Sequence, residues 1–348
     1  MSRKQQTHYT AGLFIPAAIV TALVTASANA QQAATAEPAA GQVARLPRVA
    51  FEQYEQHRVL IRPGQAINPD DGMALWLTPV SSSLDLKAGG SASLAHLSED
   101  GAMLGMEGHL SEFFVVGGVI SVGESTAKFD DGGRFRLEGG TFSIYGGIDY
   151  GFGGVHLRLT KGGHEVKGIE RVTGLDAAPA TGETEARFWE IELGARTSYA
   201  FGAIEVTPGV SFAVGKSRAK SFVETGAAAG LFSFGSQGFT YKRLTLDSEI
   251  RGQAFALSRS LSVAPFATVA YSYRFGSNNY ALDSAPVTAL TDIRVNQSRT
   301  PARHRLDAGL GVELAVNERW FITAQYARQN ASDIRSADRC ALTLRVSF

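Results

Sequence analysis

CALTLRVSF, residues 340–348, closes the chain on an aromatic residue. Counting back from Phe348, Val346, Leu344 and Leu342 take alternate positions. Ser347, Arg345, Thr343 and Ala341 lie between them. A period of two marks a strand with one apolar and one polar face. A bacterial outer-membrane barrel typically ends this way, because its terminal strand carries the assembly signal. Leu342, Leu344, Val346 and Phe348 are therefore the expected signal.

Composition fits that frame. The 348 residues carry 33 Lys+Arg and 33 Asp+Glu, so the formal net charge is +0. A nucleic-acid footprint would show a basic excess. The single Cys excludes an internal disulfide and a Cys-based zinc site. Cys340 reads as a small apolar filler. A mean hydropathy of −0.03 is too polar for a helical membrane protein. It suits a barrel with a polar lumen.

Residues 1–30 read as a secretory signal peptide. Arg3 and Lys4 precede an apolar run at 11–28, and Ala28-Asn29-Ala30 is an A-x-A cleavage site. Its readers would be the secretion translocon and signal peptidase. Residues 31–71 read as a linker, with a weak helical pattern at 43–60 and Pro47 near its start. Beyond residue 30 no apolar run reaches the roughly 18–20 residues of a spanning helix.

From residue 72 to 348 the texture is strand-like. About twelve strands are expected, at roughly 72–82, 102–110, 113–124, 140–151, 153–162, 187–201, 203–216, 241–257, 260–275, 303–316, 319–329 and 339–348. Their connections alternate short and long. The long ones fall near 83–101, 125–139, 163–186, 217–240 and 276–302, with a medium one at 330–338. A transmembrane barrel has short periplasmic turns and long external loops. An even strand number puts both ends in the periplasm.

Alternation assigns the faces. In 303–316, Leu306, Ala308, Leu310 and Val312 share one face, and Asp307 and Glu313 the other. In 187–201, Trp189, Ile191 and Leu193 oppose Glu190, Glu192 and Arg196. In 241–257, Arg243, Glu249 and Arg251 oppose Leu244, Leu246 and Ile250. A soluble sandwich would bury the apolar face, whereas a barrel turns it to lipid. Charges of both signs on neighbouring strands and aromatics near strand ends favour the barrel. Glu190, Glu192, Arg196, Glu249, Arg251 and Glu313 are then lumen charges.

With the strands placed, the chain resembles an autotransporter β-domain, the membrane translocator of type V secretion. The resemblance covers about 72–348. MALWLTPVSS (73–82) is similar to the family's Trp-bearing opening strand. GAMLGMEGHLSEFFVVGGVISVGES (101–125) resembles its second and third strands, and TFSIYGGIDYGFGGVHLRLTKGG (141–163) its fourth and fifth. RLDAGLGVELAVNERWFITAQYARQ (305–329) with CALTLRVSF resembles the last three. The resemblance implies an all-β, closed antiparallel twelve-stranded barrel in the outer membrane of a Gram-negative bacterium. It implies a short helix threading the lumen before the first strand. It also implies insertion by the barrel-assembly machinery, which reads Phe348 and its alternating partners. The departure is the passenger. Only about forty residues separate Ala30 from the barrel, so a barrel without a passenger domain is expected.

Chemistry is not expected. Five residues, Val210–Val214, separate Gly209 from Gly215-Lys216-Ser217, where a P-loop requires four. No G-x-S-x-G, H-E-x-x-H or EF-hand pattern occurs. A barrel phospholipase needs a Ser-His pair on its lipid face. Here His109 and His156 fall inward, His304 starts a strand, and His57, His96 and His164 are expected in linker or loop. No cofactor, metal or nucleic acid is expected. The expected partners are outer-membrane lipid and the export and assembly machineries, around a monomeric barrel. Two alternatives stay open: a passive channel or adhesin-like surface barrel, and a soluble exported β-sandwich binding protein.

Overall fold

Twelve long strands follow one another antiparallel. They are β1 (Met73–Leu86), β2 (Ala95–His109), β3 (Phe114–Phe129), β4 (Arg134–Asp149), β5 (Gly153–Arg171) and β6 (Ala180–Thr197). They continue with β7 (Ile204–Ala219), β8 (Gln237–Gly252), β9 (Leu261–Phe275), β10 (His304–Val316), β11 (Trp320–Ala331) and β12 (Ile334–Ser347). Each pairs with its neighbours in sequence, and β12 returns to β1, so the sheet closes. The seam sets Leu344 opposite Leu77 and Ser347 opposite Ala74. The amides of Gly72 and Met73 donate to the Phe348 carbonyl, and the Phe348 amide donates to Met73.

The computed structural model describes residues 42–61, 72–88, 95–130, 132–150, 152–171, 179–226, 231–276, 279–287, 294–299, 301–317 and 319–348. All lie in one unit, Ala34–Phe348. The expected signal peptide, with Ala28 and Ala30, lies outside them. Among the described residues no helix is long and apolar enough to cross a membrane.

The two rims differ. One, the turn rim, carries both ends of the barrel and tight turns. Ser111 Oγ accepts from the amides of Phe113 and Phe114 there. Gly202 (φ 62°) and Asn317 (φ 52°) take the left-handed conformation that glycine and asparagine tolerate best. The other, the loop rim, carries the longer connections. Two of these hold a separate four-stranded sheet, built from Phe222–Val223, Phe232–Phe234, Asn279–Pro286 and Arg294–Arg299.

The strands reach further toward the loop rim than periodicity indicates. β2 starts at Ala95, β4 at Arg134 and β6 at Ala180, and β5 runs to Arg171. The medium connection expected at 330–338 shrinks to Ser332 and Asp333. His96 and His164, expected in loops, lie on β2 and β5, and His57 lies on a helix. The cause is a change in which face is apolar. On β4, outward Phe142 and Ile144 alternate with inward Ser143 and Tyr145. Beyond Gly139-Gly140, Arg134 and Arg136 point outward and Phe135 and Leu137 inward. The side-chain direction keeps its period while its polarity inverts, which hides the strand from an apolar-periodicity count.

Two bands result. In the lower band the exposed face is apolar: Leu104, Ile120, Phe142, Leu193, Leu310 and Leu342 all stand outward. In the upper collar the interior is apolar. Leu84, Leu97, Phe129, Phe135, Leu137 and Ile169 pack there around the start of the internal helix.

Candidate functional site: the lumen and its helix

Helix α1 (Leu46–Arg58) continues a 3-10 turn, Val43–Arg45, and every one of its residues is buried. Pro47 sits in the first turn, where its missing amide costs no helical bond. The helix starts at the loop rim. Arg45 donates to the Lys87 carbonyl (2.9 Å), Gln237 to the Val43 carbonyl (2.6 Å), and Ser217 to the Pro47 carbonyl (2.7 Å). Arg48 Nη2 meets Asp333 Oδ2 at 2.7 Å. From there α1 descends into the lumen of the lower band.

That lumen is charged, and the helix matches it. Tyr54 donates to Glu190 Oε1 (2.7 Å), and Tyr241 to Glu190 Oε2 (2.8 Å). Arg243 bonds Glu55 Oε1 (2.6 Å) and Glu190 Oε2 (2.8 Å). Arg158 Nη2 reaches Glu192 Oε1 at 2.8 Å, while its Nη1 donates to the carbonyls of Arg58 and Ile61. Arg305 clamps both oxygens of Glu52 (2.8 and 2.7 Å). His57 Nε2 lies 3.0 Å from Glu99 Oε1. Five arginines (48, 58, 158, 243, 305) face five carboxylates (Glu52, Glu55, Glu190, Glu192, Asp333). A buried cluster has to balance in this way, because an unpaired buried charge is costly. Replacing such a cluster by apolar contacts is often neutral or stabilising. The charges therefore fix the helix's depth and rotation more than its binding strength.

The six sequence-derived lumen charges separate into groups. Glu190 and Glu192 hold the helix. Glu249, Arg251 and Glu313 form a second cluster nearer the turn rim, with Arg251–Glu313 at 2.7 Å, Arg251–Glu249 at 3.0 Å and Arg345 at 3.7 Å from Glu313. Arg196 lines a cavity of about 120 Å³ below the helix end, with Arg58, Ile61, His156, Asp307 and Arg339. Strand alternation left Arg158 and Arg305 unassigned. The signal for Arg305 was complementarity to the two acids of the helix segment, Glu52 and Glu55, and that for Arg158 its place directly opposite Glu192 on β6. Leu342, Leu344 and Phe348 stand exposed on the outer face of β12, and Val346, on the same face, is half-buried. Cys340 stands outward and exposed beside them.

Ring-on-glycine contacts line the same lumen, among them Phe188 over Gly162, Tyr241 over Gly215 and Phe266 over Gly311. The Trp76 indole lies over Gly105, and the Tyr145 ring over Gly117, while Tyr145 donates to Glu107 (2.8 Å). A Cβ on Gly117 would meet the Tyr145 ring at 2.3–2.5 Å. Among the described residues no group of three or more His, Cys, Asp or Glu could hold a metal ion.

A closed twelve-stranded sheet, lipid-type outside, with a salt-bridged helix inside, matches the autotransporter beta-domain family model over residues 75–327. The chain belongs to that family. The autotransporter barrel is similar in fold to the translocator domain of autotransporter NalP from Neisseria meningitidis, with a TM-score of 0.63 and 16% identity. That match covers 90% of this chain and 100% of the other. The beta domain of the Bordetella autotransporter BrkA gives a TM-score of 0.60 at 14% identity, over 80% of this chain and all of that one. No curated protein sequence matches the chain. Autotransporter barrels reside in the Gram-negative outer membrane, and this one does too. Its lower band contacts lipid. The described residues hold helix and barrel, with no passenger domain among them.

Proposed function

We propose that the chain is an outer-membrane translocator barrel held in its plugged state, with α1 as the plug. One observation carries this reading: the Tyr54–Glu190–Arg243–Glu55 network, which seats the helix inside the closed sheet. Residues 1–30 would direct export through the translocon, with cleavage after Ala30. Residues 31–71 would link to and supply the plug, and 72–348 would form the barrel. The barrel-assembly machinery would recognise Leu342, Leu344, Val346 and Phe348, which share the outward face of the seam strand. The barrel acts by enclosing a polar path, not by catalysis. On its outer face His304 accepts or donates toward the Tyr271 hydroxyl (2.6 Å) rather than toward a serine.

Planar-bilayer conductance tests the plug. Deleting residues 42–61 should raise single-channel conductance well above that of the intact chain. Equal conductance in both forms would sink the plug reading. Removing Phe348 tests the assembly signal separately: assembled barrel should fall and periplasmic degradation rise. A passive channel is the second reading, and a large open conductance in the intact protein would favour it.

A further inference from the structure

The outer wall carries one cationic face that the lumen reading does not use. Lys161 on β5, Trp189 on β6 and Lys216 on β7 form a single cross-strand row, each directly opposite the next. All three stand outward and exposed. Neighbouring strands are about 4.8 Å apart, so the two lysines flank the indole at roughly 10 Å from each other. Lys242 on β8 stands outward beside them, opposite Val214. Two residues further toward the loop rim, Arg187 and Arg218 are paired across the strands. Among the described residues Lys161, Lys216 and Lys242 have no ion-pair partner. The collar cations nearby differ: Arg134 holds Glu170 (2.7 Å), and Lys167 holds Glu138 (3.0 Å).

The height of this row identifies its environment. Toward the turn rim the same face reads Ile191, Leu193 and finally Tyr199 and Phe201, all exposed. Tyr199 lies ten residues along from Trp189. At about 3.4 Å per residue and a tilt of about 40°, that is a rise of roughly 26 Å. The apolar band of an outer-membrane barrel is about 25 Å tall, bounded by aromatic girdles. Tyr199 and Trp189 therefore stand at its two boundaries. The lysines sit where the acyl chains of the outer leaflet end and its headgroups begin. An ammonium there can reach water by snorkelling, but three of them around an indole also offer charge to an anionic headgroup.

We infer that the Lys161–Trp189–Lys216 row, with Lys242, is a docking site for the phosphate groups of a phosphorylated outer-leaflet glycolipid. The acyl chains would lie along Leu159, Ile191 and Leu193 below. Arg218 would add long-range attraction from above, whereas Arg187 is already held by Glu185 at 2.8 Å. This goes beyond the translocator reading and does not depend on the plug.

Native mass spectrometry of the full chain, folded in detergent and titrated with bisphosphorylated lipid A, tests it. Heat-modifiable gel mobility certifies each variant as folded. Wild type should retain bound lipid, and the phosphate-free lipid should bind at least about tenfold more weakly. The triple variant Lys161→Gln/Lys216→Gln/Lys242→Gln should lose roughly a hundredfold in affinity. Arg134→Gln/Lys167→Gln, whose cations are already paired, should bind like wild type. Equal binding of the phosphate-free lipid, or unchanged binding by the triple variant, overturns the site. So does an equal loss in the paired-cation control, or a lysine-dependent dimer with unchanged lipid binding. If the triple variant does not fold, Lys216→Gln alone should still weaken binding about fivefold, and unchanged affinity there overturns the site as well.

Discussion

The lower band and the upper collar are the same twelve strands with opposite insides. In the band, outward Leu193 and Leu310 meet lipid while Glu190, Arg158 and Arg243 line the lumen. In the collar, Leu137 and Phe135 form the interior, and Arg134 and Glu170 pair in the open. Backbone geometry does not distinguish them, because each keeps its period of two. The solvent does. Where hydrocarbon surrounds the sheet, the charges must go inside and balance there. Where water surrounds it, the sheet reverts to the arrangement of a soluble barrel. The helix crosses both regimes: Val43, Leu46 and Val49 pack in the collar, and Glu52, Tyr54 and Glu55 pair in the band.

The inward face gives the largest contrast. Arg243→Ala removes the charge facing Glu55, Glu190 and Glu192 in a buried site. Such a loss costs about 3–5 kcal/mol. It should appear as a lower urea midpoint in detergent and as a noisier, larger conductance. A variant with wild-type midpoint and conductance would mean that the network does not hold the helix. In the collar, Leu137→Ala removes apolar packing and should cost about 2–5 kcal/mol. Its effect should be on stability and on protease access at the loop rim, because the charges that seat the helix are untouched.

Outward substitutions should show the reverse order. Leu193 lies midway between Trp189 and Tyr199, so Leu193→Arg places a charge near the bilayer centre. The expected cost is about 2–4 kcal/mol in lipid vesicles. It should fall sharply in water-rich short-chain detergent. A cost unchanged between the two media would deny that lipid sets the face.

This inversion also decides how much was legible in the sequence. CALTLRVSF, RLDAGLGVELAV and WEIELG lie within the band, where apolar residues keep one parity, and their faces and pairing follow from alternation. RFRLEGGTFSIY does not: the apolar parity shifts at Gly139-Gly140, and a count that follows apolar residues begins the strand at 140 rather than at Arg134. The ends of β2, β5 and β6 were hidden for the same reason. Glu190 and Glu192 were legible as lumen charges because they alternate with Trp189, Ile191 and Leu193. Their partners on the helix were not. A segment such as VARLPRVAFEQYEQHRVL shows only a weak pattern when every face of it is buried, some against charge and some against hydrocarbon. The four-stranded sheet at the loop rim was also unread, because its strands are two to eight residues long and pair across two separate connections.

The smallest effect belongs to the collar's outer face, and it is the sharpest test of the comparison. Arg134 grips Glu170 with two hydrogen bonds, at 2.8 and 2.7 Å, yet Arg134 stands in water and Glu170 is partly open to it. Water screens the pair, and holding two long side chains in one geometry offsets what attraction remains. Arg134→Leu should therefore leave the urea midpoint unresolved from wild type, at low and at high salt. The same arginine-for-leucine exchange run in the other direction, at Leu193 on the band, is expected to be among the costly changes. If Arg134→Leu instead stabilises the barrel in lipid and not in detergent, hydrocarbon reaches that height. The boundary would then have to move above Trp189.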